Sequence, residues 1–176
     1  MNRNRIFPLL LAALILLTAC GGHPSQQERG DYVLYFLSAP LAKGESGHGP
    51  ALDWENYTGQ GTPTPEQLLE ALLDGPTLEK LSSPFPRGLS LRQCAWDEER
   101  TGVLVVSLSE QYGALTGISL TLADYCIVLT LSQLEGVEGV EIRAGGYASD
   151  YRSHQVLTRE EALLSDVLAG QTSEDS

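Results

Sequence analysis

The side chains able to do chemistry are few in this sequence, and their spacing decides what they can be. There are three histidines, His23, His48 and His154. A Ser-His-Asp hydrolase needs one of them ordered beside a serine on a sharp turn, and no Gly-x-Ser-x-Gly stretch is present to supply it. Gly145-Gly146 and Gly59-Gln60-Gly61 are turn glycines without the further glycine and lysine of a phosphate loop. Asp97-Glu98-Glu99 suggests paired carboxylates or a calcium site, but the spacing matches no calcium loop. A charged run between two apolar segments reads instead as a solvated turn. Cys94 and Cys126 stand far apart with no histidine beside either, which argues against zinc. They could form a disulfide, or each could be buried as a small apolar residue. A disulfide demands Cα atoms within about 7 Å, a matter of the fold, so both alternatives stay open. No catalytic constellation, metal or cofactor is expected, and the protein is not expected to be an enzyme.

The remaining cysteine, Cys20, has a different setting. Arg3 and Arg5 form a short basic region, and Ile6 to Leu17 then run apolar, broken only by Pro8. That run is about a dozen residues, against the roughly 20 that a membrane-spanning helix needs. It therefore reads as a cleavable export signal. Leu17-Thr18-Ala19-Cys20-Gly21 resembles the bacterial lipobox, in which the cysteine thiol is acylated with diacylglycerol before cleavage. Met1–Ala19 is thus read as a signal peptide and Cys20 as the lipid-attachment site. Several acyl chains on one residue give a stable anchor where a single chain binds reversibly. The expected location is the cell membrane, with the protein lipid-anchored on its extracytoplasmic face, where disulfides can persist.

Charge narrows the partners. The chain has 23 acidic residues against 11 basic ones, a net charge of −12. Every acidic residue follows Cys20, and two of the basic ones precede it, so the mature chain is more acidic still. A polyanion is bound by clustered Lys and Arg that displace its counterions, so nucleic acid is not expected as a partner.

Cys20–Gly30 reads as the lipidated residue and a polar tether. Behind it lies one domain's worth of chain, long enough to bury a core. Asp31 to Ala39 contains Tyr32-Val33-Leu34-Tyr35-Phe36-Leu37, a strand buried on both faces. Lys43 to Pro63 is Gly-rich with little periodicity and reads as a long loop. It carries Trp54 and Tyr57, which are candidate interface residues because aromatic side chains dominate interaction hot spots. The alternative is that both rings fold back and staple the loop to the domain. Thr64 can cap a helix with Pro65 at its first position and Gln67 completing a capping box. Leu68, Leu69, Leu72 and Leu73 form its apolar stripe, Gly75 is a left-handed stop, and Pro76 forbids continuation. Leu89 to Trp96 and Val103 to Leu108 read as a β-hairpin. Ser119 to Leu134 has helical apolar spacing, with strand as the alternative because Ile127, Val128 and Thr130 are β-branched. Val137 to Arg143 reads as a last strand. The expected fold is α+β, a small two-layer domain in β-α-β-β-α-β order, with two helices on a mixed, mostly antiparallel sheet. That domain is assigned to Asp31–Gly146. Tyr147–Ser176 follows as an extension with a short helix, Thr158 to Leu168, and an acidic tail.

Four segments carry a family resemblance. Leu72-Leu73-Asp74-Gly75-Pro76, Val105-Val106-Ser107-Leu108-Ser109, Leu129-Thr130-Leu131, and Val137-Glu138-Gly139-Val140-Glu141-Ile142 before a Gly-Gly turn look like the GerMN domain of sporulation and germination lipoproteins. The resemblance covers roughly Val33 to Gly146. Ser107 stands where that family usually has an acidic residue, and one copy of the domain fits here. GerMN domains are similar to ring-building modules of the sporulation secretion apparatus, so the resemblance implies an assembly or scaffold role. The implied partners are other envelope or sporulation proteins, self-association included, with the membrane reached through the lipid. The rival reading is an envelope lipoprotein that binds a small ligand or a cell-wall component.

Overall fold

The computed structural model describes residues 29–39, 50–144 and 155–163. The signal peptide, Cys20, the tether before Arg29, all three histidines, Gly145-Gly146 and the acidic tail lie outside the described residues. Strand β1, Val33–Ser38, opens with four consecutive buried residues, Val33, Leu34, Tyr35 and Phe36, as expected of a strand covered on both faces.

The segment expected to be a long loop contains a strand. Leu52–Asn56 forms β2, antiparallel to β1 with Tyr35 opposite Trp54 and Leu37 opposite Leu52. Asp53 and Glu55 argue against a strand on propensity, but pairing with β1 and a buried socket for Glu55 override it. β1 supplies the long-range partner that no local pattern announces.

Helix α1, Pro65–Asp74, is built as its punctuation predicts. Thr64 Oγ1 accepts from the Gln67 N–H at 3.3 Å, and Gln67 Oε1 accepts from the Thr64 N–H at 2.9 Å. Leu68, Leu69 and Leu72 are fully buried, while Leu73 packs at the margin of the core. Gly75 departs from the left-handed helical conformation expected of it. Its φ of 93° is positive but its ψ of 171° is extended, because Pro76 drives the preceding residue out of helical ψ.

A short strand β3, Leu81–Ser82, adds to the other side of β1 and completes a three-stranded sheet, β2-β1-β3. The expected hairpin is present as β4, Leu91–Trp96, and β5, Val103–Leu108, with a register shift between Leu91 and Gln93. A 3-10 turn at Glu110–Ala114 leads into α2, Gly117–Leu131. α2 is helical rather than β, and Cys126 through Leu131 are all buried, so the helix is covered on nearly every side.

β6, Gly139–Ala144, returns from α2 to lie parallel to β5, as a strand–helix–strand crossover requires. β7, Val156–Leu157, pairs antiparallel with β6, a strand beyond the last one expected from the sequence. The second sheet is thus β4-β5-β6-β7, and β5–β6 is the parallel pair that makes it mixed. The α+β class and the strand–helix–strand–strand–helix–strand order hold, with β2, β3 and β7 added and the strands divided between two sheets. Residues 159–163 are helical, capped by reciprocal bonds between Thr158 and Glu161. Ala162 in that helix is fully buried in the core cluster, so part of the C-terminal extension belongs to the domain.

Candidate interaction surface

Trp54 and Tyr57 sit on and just beyond β2, half-buried and packed against the core. They are not carried on a free loop. The Arg29 guanidinium lies 5.7 Å from the Trp54 ring centre and 5.8 Å from that of Tyr35, and it donates to Tyr35 Oη at 2.9 Å. Two aromatic faces and one hydroxyl thus hold a single cation. The Gly30 N–H donates to Asn56 Oδ1 at 2.8 Å, fixing the chain where it joins the domain. The Tyr57 ring lies so close to Gly59 that a Cβ there would stand 2.2 Å from its hydroxyl oxygen, so residue 59 must be glycine for the ring to take this position. Asp31, Tyr32, Tyr57, Gly59, Gly61 and Thr62 line an open cleft beside it.

Cys94 and Cys126 are both free thiols, so the structure does not contain the candidate disulfide. Cys94 lies on β4. Burial, and then the negative charge of Glu66 on α1, push its thiol up to about 12. Cys126 is fully buried in α2, and burial raises its thiol further. Each behaves as a small apolar residue, the other alternative.

Asp97 is the cap of the hairpin turn. Its Oδ1 accepts from the N–H groups of Glu99 at 3.0 Å and Arg100 at 2.8 Å. Its Oδ2 pairs with the Arg100 guanidinium at 2.5 Å, and the Arg100 bonds hold the Asp97 carboxyl well below the usual carboxylate range. Arg100 also bonds to Glu141 on β6, a fully buried carboxylate whose other oxygen takes Arg143 Nε at 2.5 Å. Burial alone would raise the Glu141 pKa, but hydrogen bonds from Arg143 and Arg100 outweigh it and hold the carboxyl below its ordinary value. This Asp97–Arg100–Glu141–Arg143 chain ties the hairpin turn to β6.

Two further buried acids went unrecognised in the sequence. Glu55 accepts from the Thr77 N–H at 2.9 Å, Thr77 Oγ1 at 3.0 Å and the Leu78 N–H at 3.1 Å, so it anchors the segment after α1. Asp124 in α2 accepts from Tyr112 Oη at 2.6 Å. Each is an exposed-looking charge in the sequence, and only its long-range partners reveal its place. Among the described residues, no three or more His, Cys, Asp or Glu side chains cluster in a way that could hold a metal ion. No helix among them is long and apolar enough to cross a membrane.

The class these features define is a small α+β domain whose buried carboxylates, Glu55, Asp124 and Glu141, are engaged with its own chain. Residues 33–150 match the Germane family, described as sporulation and spore germination, and the chain belongs to that family. The fold is similar to that of the first GerMN domain of the sporulation protein GerM from Bacillus subtilis, with 14% identity over 72% of this chain and 91% of that one, at a TM-score of 0.50. Other similar structures are a Clostridium perfringens chain assigned as a lipoprotein, with 15% identity, 73% and 88% coverage and a TM-score of 0.45, and the tandem GerMN domains of GerM, with 13% identity, 73% and 44% coverage and a TM-score of 0.47. No curated protein sequence matches the chain.

Proposed function

We propose that this protein is a lipid-anchored, extracytoplasmic component of a sporulation or germination assembly, and that its Germane domain works by contacting other proteins rather than by catalysis. The observation that carries the reading is the conjunction of a lipobox-like Cys20 with a single Germane domain only a short polar segment downstream. An anchored domain meets membrane-bound partners at raised effective concentration, which suits an assembly component. The use of Glu55, Asp97 and Glu141 in holding chain to chain also supports a contact role over a chemical one, since their lone pairs are taken up by structural donors.

Chemical crosslinking in sporulating cells, followed by recovery of this chain, tests the proposal. Discrete crosslinked species that contain other envelope or sporulation proteins, or a second copy of this chain, are the expected result. Recovery of the uncrosslinked chain alone throughout sporulation would contradict it.

A further inference from the structure

We infer that the pole of the domain from which the anchor segment emerges is a lipid-facing surface, with Tyr32, Tyr57 and Trp96 at the level of the headgroups. The inference rests on the lipid-anchor reading of Cys20. Arg29 and Gly30 are held to the domain, Arg29 by its guanidinium over the Tyr35 and Trp54 rings and Gly30 by its bond to Asn56. Only residues 21–28 separate that fixed point from Cys20, and eight residues span at most about 30 Å when fully extended. A connection that short keeps the pole it leaves nearer the bilayer than the opposite one.

Hydrogen bonds identify what shares that pole. The Tyr57 N–H donates to the Tyr32 carbonyl at 2.9 Å, so both rings flank the start of β1. The Gln133 amide, just past the end of α2, bonds to both the N–H and the carbonyl of Val33, at 3.0 and 2.7 Å. Three residues on, a Cβ at Gly136 would lie 3.9 Å from the Trp96 ring, and Trp96 is 50% exposed at the end of β4. The two tyrosines and this tryptophan therefore gather where β1 begins and where β2, β4 and α2 end. Tyrosine and tryptophan rings, apolar with one polar edge, favour the membrane–water interface. The far pole carries Ile118, 78% exposed on the first turn of α2, about 20 Å away along the helix axis. Glu98, Glu99, Glu135 and Glu138 are exposed around the near pole, so the surface suits zwitterionic headgroups and is repelled by anionic ones.

Trp54 and Trp96 are the only tryptophans, so Trp54→Phe leaves Trp96 as the sole reporter. The full chain carrying this change is purified from membranes, checked by mass for the lipid, and reconstituted in phosphatidylcholine vesicles spin-labelled near the headgroup. A second variant, Trp54→Phe with Trp96→Phe and Ile118→Trp, reports from the far pole. Strong quenching of Trp96, with the tryptophan at 118 keeping its intensity, is expected, and added phosphatidylglycerol should lessen the quenching. Equal quenching at both positions, or none at Trp96 in a chain shown to carry lipid, would overturn the inference. A mature chain without lipid would overturn the anchor reading itself, and this orientation with it.

Discussion

Glu141 has no exposed surface, yet two guanidiniums keep it ionised, and Asp97 shares one of them. Both carboxyls have folded-state pKa values below the ordinary ones, so each contributes stability that is present above the unfolded carboxylate pKa of about 4. That contribution is lost as the pH falls through the folded values. Thermal unfolding midpoints should hold steady near neutral pH and drop steeply below about pH 4. In Arg100→Gln the acid-side drop should be shallower, because Asp97 and Glu141 then titrate nearer their unfolded values. An unchanged acid limb would show that Arg100 does not set their ionisation. The thiols make a second prediction at this scale. With Cys94 raised to about 12 and Cys126 fully buried, neither should be alkylated by iodoacetamide at neutral pH in the native protein, and both should react in denaturant without reductant. A need for reductant would mean that they are bonded after all.

Among the elements, α2 does more than fill the core. β1 pairs with β3 only at Leu37 and Ser38, which leaves the earlier part of that edge to be satisfied from elsewhere. Thr130 Oγ1 accepts from the Tyr35 N–H at 3.1 Å, and Gln133 serves Val33, so side chains of α2 and its C-terminal turn stand in for a strand. Gln133→Leu keeps the volume and removes both partners of Val33, and should cost about 1–3 kcal/mol in denaturant unfolding. A loss within error of zero would mean that water replaces the amide. Replacing Trp54 and Tyr57 together with alanine should lower the thermal midpoint, because both rings pack on the core and Trp54 also holds Arg29. Unchanged stability with lost crosslinked partners would move these residues back to an interface role.

α1 was legible because its capping box, apolar stripe and terminal Gly-Pro are all local. β2 was not, because its acids and flanking glycines imitate a loop while its reasons for being a strand, β1 and the donors at Thr77 and Leu78, lie elsewhere in the chain. The Arg100–Glu141 pair was equally hidden, since it forms only once β6 lies parallel to β5.

Taken whole, the chain is a Germane-family domain that we propose is tied to a membrane through Cys20 and acts through its surface. The family and the α+β fold support the domain half of that statement, and the sequence around Cys20 carries the anchor half. The fate of the Cys20→Ser chain, followed by membrane fractionation and intact mass, decides whether that anchor exists. The natural chain should be found in the membrane fraction at the mass of a chain beginning at Cys20 plus its acyl groups. The Ser variant should accumulate as unprocessed precursor or be shed without lipid. A Ser variant that remains fully membrane-bound at mature size would rule out anchoring through Cys20.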